Sequence, residues 1–313
     1  MRKLAYLFAF VVVAISATSF VTPASAQATR TWVSGVGDDA NPCSRTAPCK
    51  TYAGAISKTA TNGEINCLDP GGFGTLTITK SISVVCDYTE GGVLAALVNG
   101  FIINAPAGSI VTLKGQDIEC VGTGLNGVNI IGVGVTVHLH KLQVRNCRGS
   151  PGSGVLVAPS SGTATVDIAD SYLTDNLVGV EVKPTAAANA NVTISRVIAA
   201  SNTTGFRGNG TATTGTINVT VVDSVATGNV GAGINATGGT SPSVQMMLRR
   251  VSTVYNGTGI NSSGATATIR FGETVVTGNA TGTTATGTLS SYSTNFINGN
   301  TADGPNPGTI APK

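Results

Sequence analysis

The sequence predicts an all-β chain: a single-stranded right-handed parallel β-helix (solenoid) with a short N-terminal capping helix. Three observations carry this expectation. One phrase recurs: HKLQVRN (His140–Asn146), DSYLTDN (Asp170–Asn176), SRVIAASN (Ser195–Asn202), DSVATGN (Asp223–Asn229), RVSTVYN (Arg250–Asn256), ETVVTGN (Glu273–Asn279) and TNFINGN (Thr294–Asn300). Its closing asparagines step by 30, 26, 27, 27, 23 and 21 residues, and self-similarity at such a period marks a solenoid. Ahead of the asparagines apolar residues alternate, as in Val166 and Ile168, Val192 and Ile194, Val219 and Val221, Met246 and Leu248, Ile269 and Phe271. Period two is the strand period. Finally, no 3.6-residue period survives across the repeats, which excludes helical arrays.

A unit of this length holds two or three short strands, and successive coils stack about 4.8 Å apart. A second strand is expected after a tight corner, with Leu142, Tyr172, Ile198, Val225, Val275 and Phe296 in equivalent places. Asparagine tolerates the left-handed backbone of such a corner, and stacked asparagines can hydrogen-bond along the stack. Glycine follows three residues later at Gly149, Gly179, Gly205, Gly259 and Gly282.

In chain order, residues 1–26 read as a signal peptide. Arg2 and Lys3 form the basic start, Leu4 to Ile15 the apolar stretch, and Ala24-Ser25-Ala26 the cleavage site. No later stretch approaches the roughly 18 apolar residues of a membrane span, so a secreted or periplasmic location is expected. Removing the leader leaves 16 basic residues against 15 acids, a formal charge of +1. That balance gives no electrostatic case for nucleic acid. Residues 27–64 are expected as an N-terminal cap segment with a disulfide loop, 65–300 as the β-helix, and 301–313 as a flexible tail. Tyr52, Ala55, Ile56 and Thr59 fall at i, i+3, i+4 and i+7, which places a helix over Lys50–Thr59. It would cover the open end of the first coil, as solenoids require.

The segments TWVSGVGDDANPCSRTAPCKTYAGAISK (Thr31–Lys58) and GEINCLDPGGFGTLTITKSISV (Gly63–Val84) resemble the opening of right-handed β-helix proteins of the pectate-lyase-like superfamily. Trp32-Val33-Ser34, Asp38, Asn41-Pro42, Pro48, Thr51 and Ala55 match its first part; Ile65, Leu68, Pro70-Gly71, Phe73 and Ile78 to Ile82 match its second. Cys43 and Cys49 stand where that family has a glycine and an aromatic, which suggests a stapled loop. The resemblance implies the fold, but the superfamily holds lyases, hydrolases, epimerases and non-enzymes, so it fixes no activity.

Six cysteines behind a leader suggest disulfides. Fifteen pairings exist; those expected are Cys43–Cys49, Cys67–Cys86 and Cys120–Cys147, the last two cysteines being one repeat apart. No metal site is expected: the chain has two histidines, His138 and His140, on one strand face, with no third ligand beside them in sequence.

Six residues before each asparagine lies a column, His140, Asp170, Arg196, Asp223, Arg250 and Glu273, with Lys114 one coil earlier. Stacked opposite charges pair and fix register; the functional reading of Asp170, Arg196, Asp223, Arg250 and Glu273 is a charged binding groove for a polysaccharide. One residue before the anchors a shorter column gives Glu119, Arg145 and Asp175; with His140 and Lys141 these are the candidate catalytic residues. A pectate lyase needs clustered acids to hold calcium and a nearby base, and calcium is the one cofactor that reading would bring. Nucleophile elbows and phosphate loops are absent. The expected role is therefore a non-catalytic surface protein that binds a polysaccharide or cell-surface protein. A polysaccharide lyase or glycoside hydrolase is the first alternative, and an adhesin-like structural spacer the second.

Overall fold

The computed structural model describes residues 27–239 and 244–312; the expected leader lies outside them. The chain winds as an all-β parallel solenoid whose strands fall into sheets A, B and C, of 12, 9 and 10 strands. Every strand pairing is parallel. One coil shows the plan: Thr163–Ala169 lies in sheet A, Tyr172–Thr174 in sheet C, and Val178–Val182 in sheet B. Alternation in sheet A decides the inside. Val137, Val166, Val192, Val219, Met246 and Ile269 stack over one another in register and are buried. The residues between them face out.

Both corners flanking sheet C are left-handed. The first holds Lys141, Asp170, Arg196, Asp223, Arg250 and Glu273, with φ between 50° and 54°. The second holds Asn146, Asp175, Ser201, Gly228, Tyr255, Gly278 and Gly299. The repeated asparagine therefore follows the strained residue instead of being it. Its job is hydrogen bonding.

Asn176, Asn202, Asn229, Asn256 and Asn279 are buried. In each, the backbone N–H and Nδ2 donate to Oδ1 of the asparagine one coil on, for example Asn229 to Asn256 at 3.0 and 2.8 Å. The row continues to Asn300 at 3.0 and 2.9 Å. Asn300 in turn donates from N and Nδ2 to Asp303 Oδ1, at 3.2 and 2.9 Å.

Asn146 does not belong to this row. Val144 pairs with Leu173 and Arg145 with Thr174, so Asn146 stands at the corner beside Asp175. Cys147 takes the asparagine's place, its N–H donating to Asn176 Oδ1 at 2.9 Å. The one-residue offset moves other expected equivalences. Gln143, and not the buried Leu142, pairs with Tyr172. The glycine equivalent to Gly179 is Gly154, and not Gly149. This glycine column answers a close approach: a Cβ on Gly205 would sit 2.4 Å from the Gly233 carbonyl oxygen and 3.1 Å from Ala226 Cβ.

At the N-terminal end Tyr52–Lys58 forms the one helix among the described residues, with Thr51 accepting from the Gly54 N–H at 3.0 Å. Tyr52 is buried with its ring 5.2 Å from Phe73 and 5.7 Å from Phe101. Asp39, one of the two adjacent turn aspartates, accepts from the N–H groups of Lys50 and Thr51. The disulfides are Cys43–Cys49, Cys67–Cys86 and Cys120–Cys147, as expected. All sit in the first half, which the asparagine row does not reach. Residues 301–312, expected as a free tail, instead lie along the last coil. Gly282 and Thr283 donate to the carbonyls of Ala302 and Asp303, and Gly308–Thr309 pairs with Ser290 and Ser291 in sheet A. An open sheet edge carries unmet backbone donors, and this segment meets several of them.

Candidate functional site

Surface recesses occur at both ends of the solenoid: one of about 430 Å³ lies beside Met247, Arg249 and Tyr292, and the polar ones lie on the first coils, where sheet A turns into sheet C. Two recesses adjoin there. One, about 740 Å³, has Trp32, Arg45, Leu68 and Lys114 in its walls; the other, about 410 Å³, has Glu90, Asp117, Lys141 and Gln143. Asp87 and Tyr88 line both and form the ridge between them. Tyr88 is fully exposed and has φ 69°. Trp32 is half-buried, with the Arg30 guanidinium 5.6 Å from its ring centroid.

Several charges in and beside these recesses pair with one another, while Arg45 and Glu90 line them with no ion-pair partner among the described residues. Lys114 and Lys141 both reach the Asp87 carboxylate; the Lys114 hydrogen bond leads the effects that hold its pKa below the ordinary carboxylate value. Arg145 is drawn down by partial burial, but its bonds to Asp117 and Glu119 outweigh that and raise its pKa. Glu119 also accepts from the Val121 N–H at 2.8 Å and from Asn146 Nδ2 at 3.0 Å.

The five candidate catalytic residues do not form one centre. Glu119 and Arg145 are cross-strand partners in sheet C, 2.7 Å apart. Lys141 stands at the corner and turns to Asp87. His140 lies on sheet A and pairs with Lys114 below and Ala169 above. Asp175 occupies a second-corner position one coil on and is bonded to Thr174 Oγ1 at 2.9 Å. An arginine held between two carboxylates has neither the free lone pair nor the low pKa that a general base needs.

The charged column is real from Asp170 onward. Arg196 makes a two-point contact with Asp170 at 2.6 and 2.9 Å; Arg250 bonds Asp223 and approaches Glu273 at 3.7 Å. His140 and Lys114 are not its earlier members, because the offset puts Lys141 and Gly115 at those corners. All of these side chains are more than a third exposed, so the pairs contribute little. Arg196 and Arg250, by hydrogen bond first, lower the pKa values of Asp170 and Asp223. A depressed carboxylate adds stability above its ordinary pKa of 3.8 and loses it as pH falls through the folded value. Arg250→Ala is accordingly expected to leave the urea midpoint at pH 7 within measurement error.

Sequence reasoning missed Asp87, Asp117, Tyr88 and Asp167. Asp167 stands directly opposite His138 on the outer face of sheet A. His138 Nδ1 contacts its Oδ1, and His140 Nε2 lies 2.8 Å from its Oδ2. One ligand atom from each of the three residues falls within 4.8 Å of the others. A third group one coil away is invisible to a search along the strand; the signal that finds it is the 29-residue step from His138 to Asp167.

No protein-family model matches the sequence, and no curated protein matches it. Among solved structures the chain is similar to "Crystal structure of pectate lyase Pel9A", with 17% identity and a TM-score of 0.48. That likeness covers 85% of this chain and 78% of that one. It is a likeness of fold alone. Among the described residues no helix is long and apolar enough to cross a membrane.

Proposed function

We propose that the protein is an exported, right-handed β-helix that binds a polysaccharide without cleaving it, through the twin recesses beside Trp32 and Tyr88. The observation that carries this reading is the exposed Tyr88 ridge between two polar recesses in which Asp87 and Asp117 are held in ion pairs. An aromatic face offers flat apolar contact to a sugar ring, and the surrounding amides, guanidiniums and carboxylates can meet its hydroxyls. A calcium-dependent lyase would require carboxylates left free to converge on the ion. Here Asp87, Asp117 and Glu119 each carry a cationic partner. Three disulfides fit export to an oxidising compartment, consistent with residues 1–26 acting as a leader.

Affinity electrophoresis through gels containing neutral and acidic polysaccharides tests the reading. The mature protein is expected to be retarded by at least one of them, and Tyr88→Ala to weaken that binding by about fivefold or more, taking the roughly 1–3 kcal/mol of a nucleobase stacked on an aromatic as the scale. The exposed position of Tyr88 keeps folding out of the comparison. Retardation by none of the polymers, or none that Tyr88→Ala changes, would sink the assignment. Turnover of any polymer, abolished in a folded Arg145→Ala variant, would favour the lyase or hydrolase alternative. The spacer reading is disfavoured because residues 301–312 engage the last coil's edge.

A further inference from the structure

We propose that His138, His140 and Asp167 form a binding site for a divalent first-row transition ion of the zinc type on the outer face of sheet A. The reading is independent of the polysaccharide recesses. His138 and His140 alternate along the strand Thr136–His140 and so project from one face. The next coil places Asp167 in register with His138, and its two carboxylate oxygens address the two imidazoles separately. Two imidazoles and one carboxylate are a zinc donor set that leaves a fourth position open. Their nitrogen content argues for zinc, copper or nickel and against calcium or magnesium.

The geometry fits after small rotations. Tetrahedral ligands at about 2.0–2.2 Å from an ion lie about 3.3 Å apart, and the three donor atoms already fall within 4.8 Å of one another. All three side chains are 35–38% exposed, so solvent reaches the site while the backbone ladder fixes its base. Placement is also selective. Among the sheet A strands the acidic residues are Glu64 and Asp167, and Asp167 meets both histidines of the entire chain. The nearest cation in register, Lys114 beside His140, is already engaged by Asp87. With neutral imidazoles the site carries one negative charge for the incoming ion.

The chain makes the test clean, because it has no other histidine and its six cysteines are all in disulfides. Zinc chloride is titrated into the tag-free mature protein by calorimetry, with histidine ring signals followed by NMR. One equivalent is expected to bind, with both ring signals moving before saturation. Loss of an outer-shell partner alone costs about 10–100-fold in metal affinity, so Asp167→Asn and His138→Ala should each weaken binding by at least about 100-fold. Unchanged circular dichroism would show that the variants are folded. Non-saturating binding, or binding that Asp167→Asn leaves intact, overturns the proposal. Calcium chloride should give no heat and no ring shifts; an equal response to calcium would also overturn it.

Discussion

Asn229→Ala is expected to cost about 3–5 kcal/mol of unfolding free energy. Oδ1 of this buried side chain accepts from the Asn202 N–H and Nδ2 at 3.0 and 3.2 Å. Its Nδ2 donates to Asn256 Oδ1 at 2.8 Å and to the Ala199 carbonyl at 3.2 Å. Truncation removes all four bonds and strands at least two buried groups, each worth about 1–3 kcal/mol when left without a partner. Water cannot readily replace them in an interior position. Asn146→Ala serves as the comparison. Its amide reaches Glu119 at the partly exposed surface and its backbone is left-handed, φ 58°, so alanine there is expected to cost only about 1 kcal/mol, mainly as backbone strain that asparagine tolerates better. Urea unfolding of the two variants would separate them. Equal losses would mean that the asparagines act only as turn formers.

Replacing both Cys120 and Cys147 by alanine is expected to cost about 3–4 kcal/mol. The bridge closes a loop of sequence separation 27, and the chain-entropy relation gives a value of that order for such a loop. Both residues are fully buried, so alanine introduces no unsatisfied hydroxyl. The Cys147 N–H still donates to Asn176, which isolates the crosslink from the amide row. Denaturant titration of the double variant against the oxidised parent measures the difference. A loss under about 1 kcal/mol would show that the first coils hold their stacking without the staple.

Much of the fold was legible because a solenoid writes its contacts into sequence. Residues one repeat apart are neighbours, so Asp170 with Arg196 and Cys120 with Cys147 could be paired from spacing. The helix carrying Tyr52 and Ala55 followed from local periodicity. Legibility failed at Asn146. An asparagine one residue from Cys147 imitates the repeat, and the longer passage to Gly154 hides the slip. Because strand side chains alternate, a slip of one residue moves each side chain to the opposite face; that is why His140 left the charged column and Lys141 entered it. The recesses were illegible for another reason. They depend on Trp32 in one recess, Asp117 in the other and Tyr88 in both, all of which lie outside the regular phrase.

The asparagine row has a polarity. Every side-chain amide along it points its oxygen toward the preceding coil and one Nδ2–H toward the following one, the second N–H returning to a carbonyl of the preceding coil, so the C=O dipoles add instead of cancelling. At the early terminus the buried negative pole, Asn176 Oδ1, accepts from the Cys147 N–H. At the late terminus unspent hydrogen-bond donors accumulate, and Asp303 meets them with a carboxylate, much as an acid seals the start of an α-helix. Internal coils are thus interchangeable in a way the final one is not: duplication of a middle repeat leaves both poles matched, whereas truncation before Asp303 strips the counter-charge from the whole array.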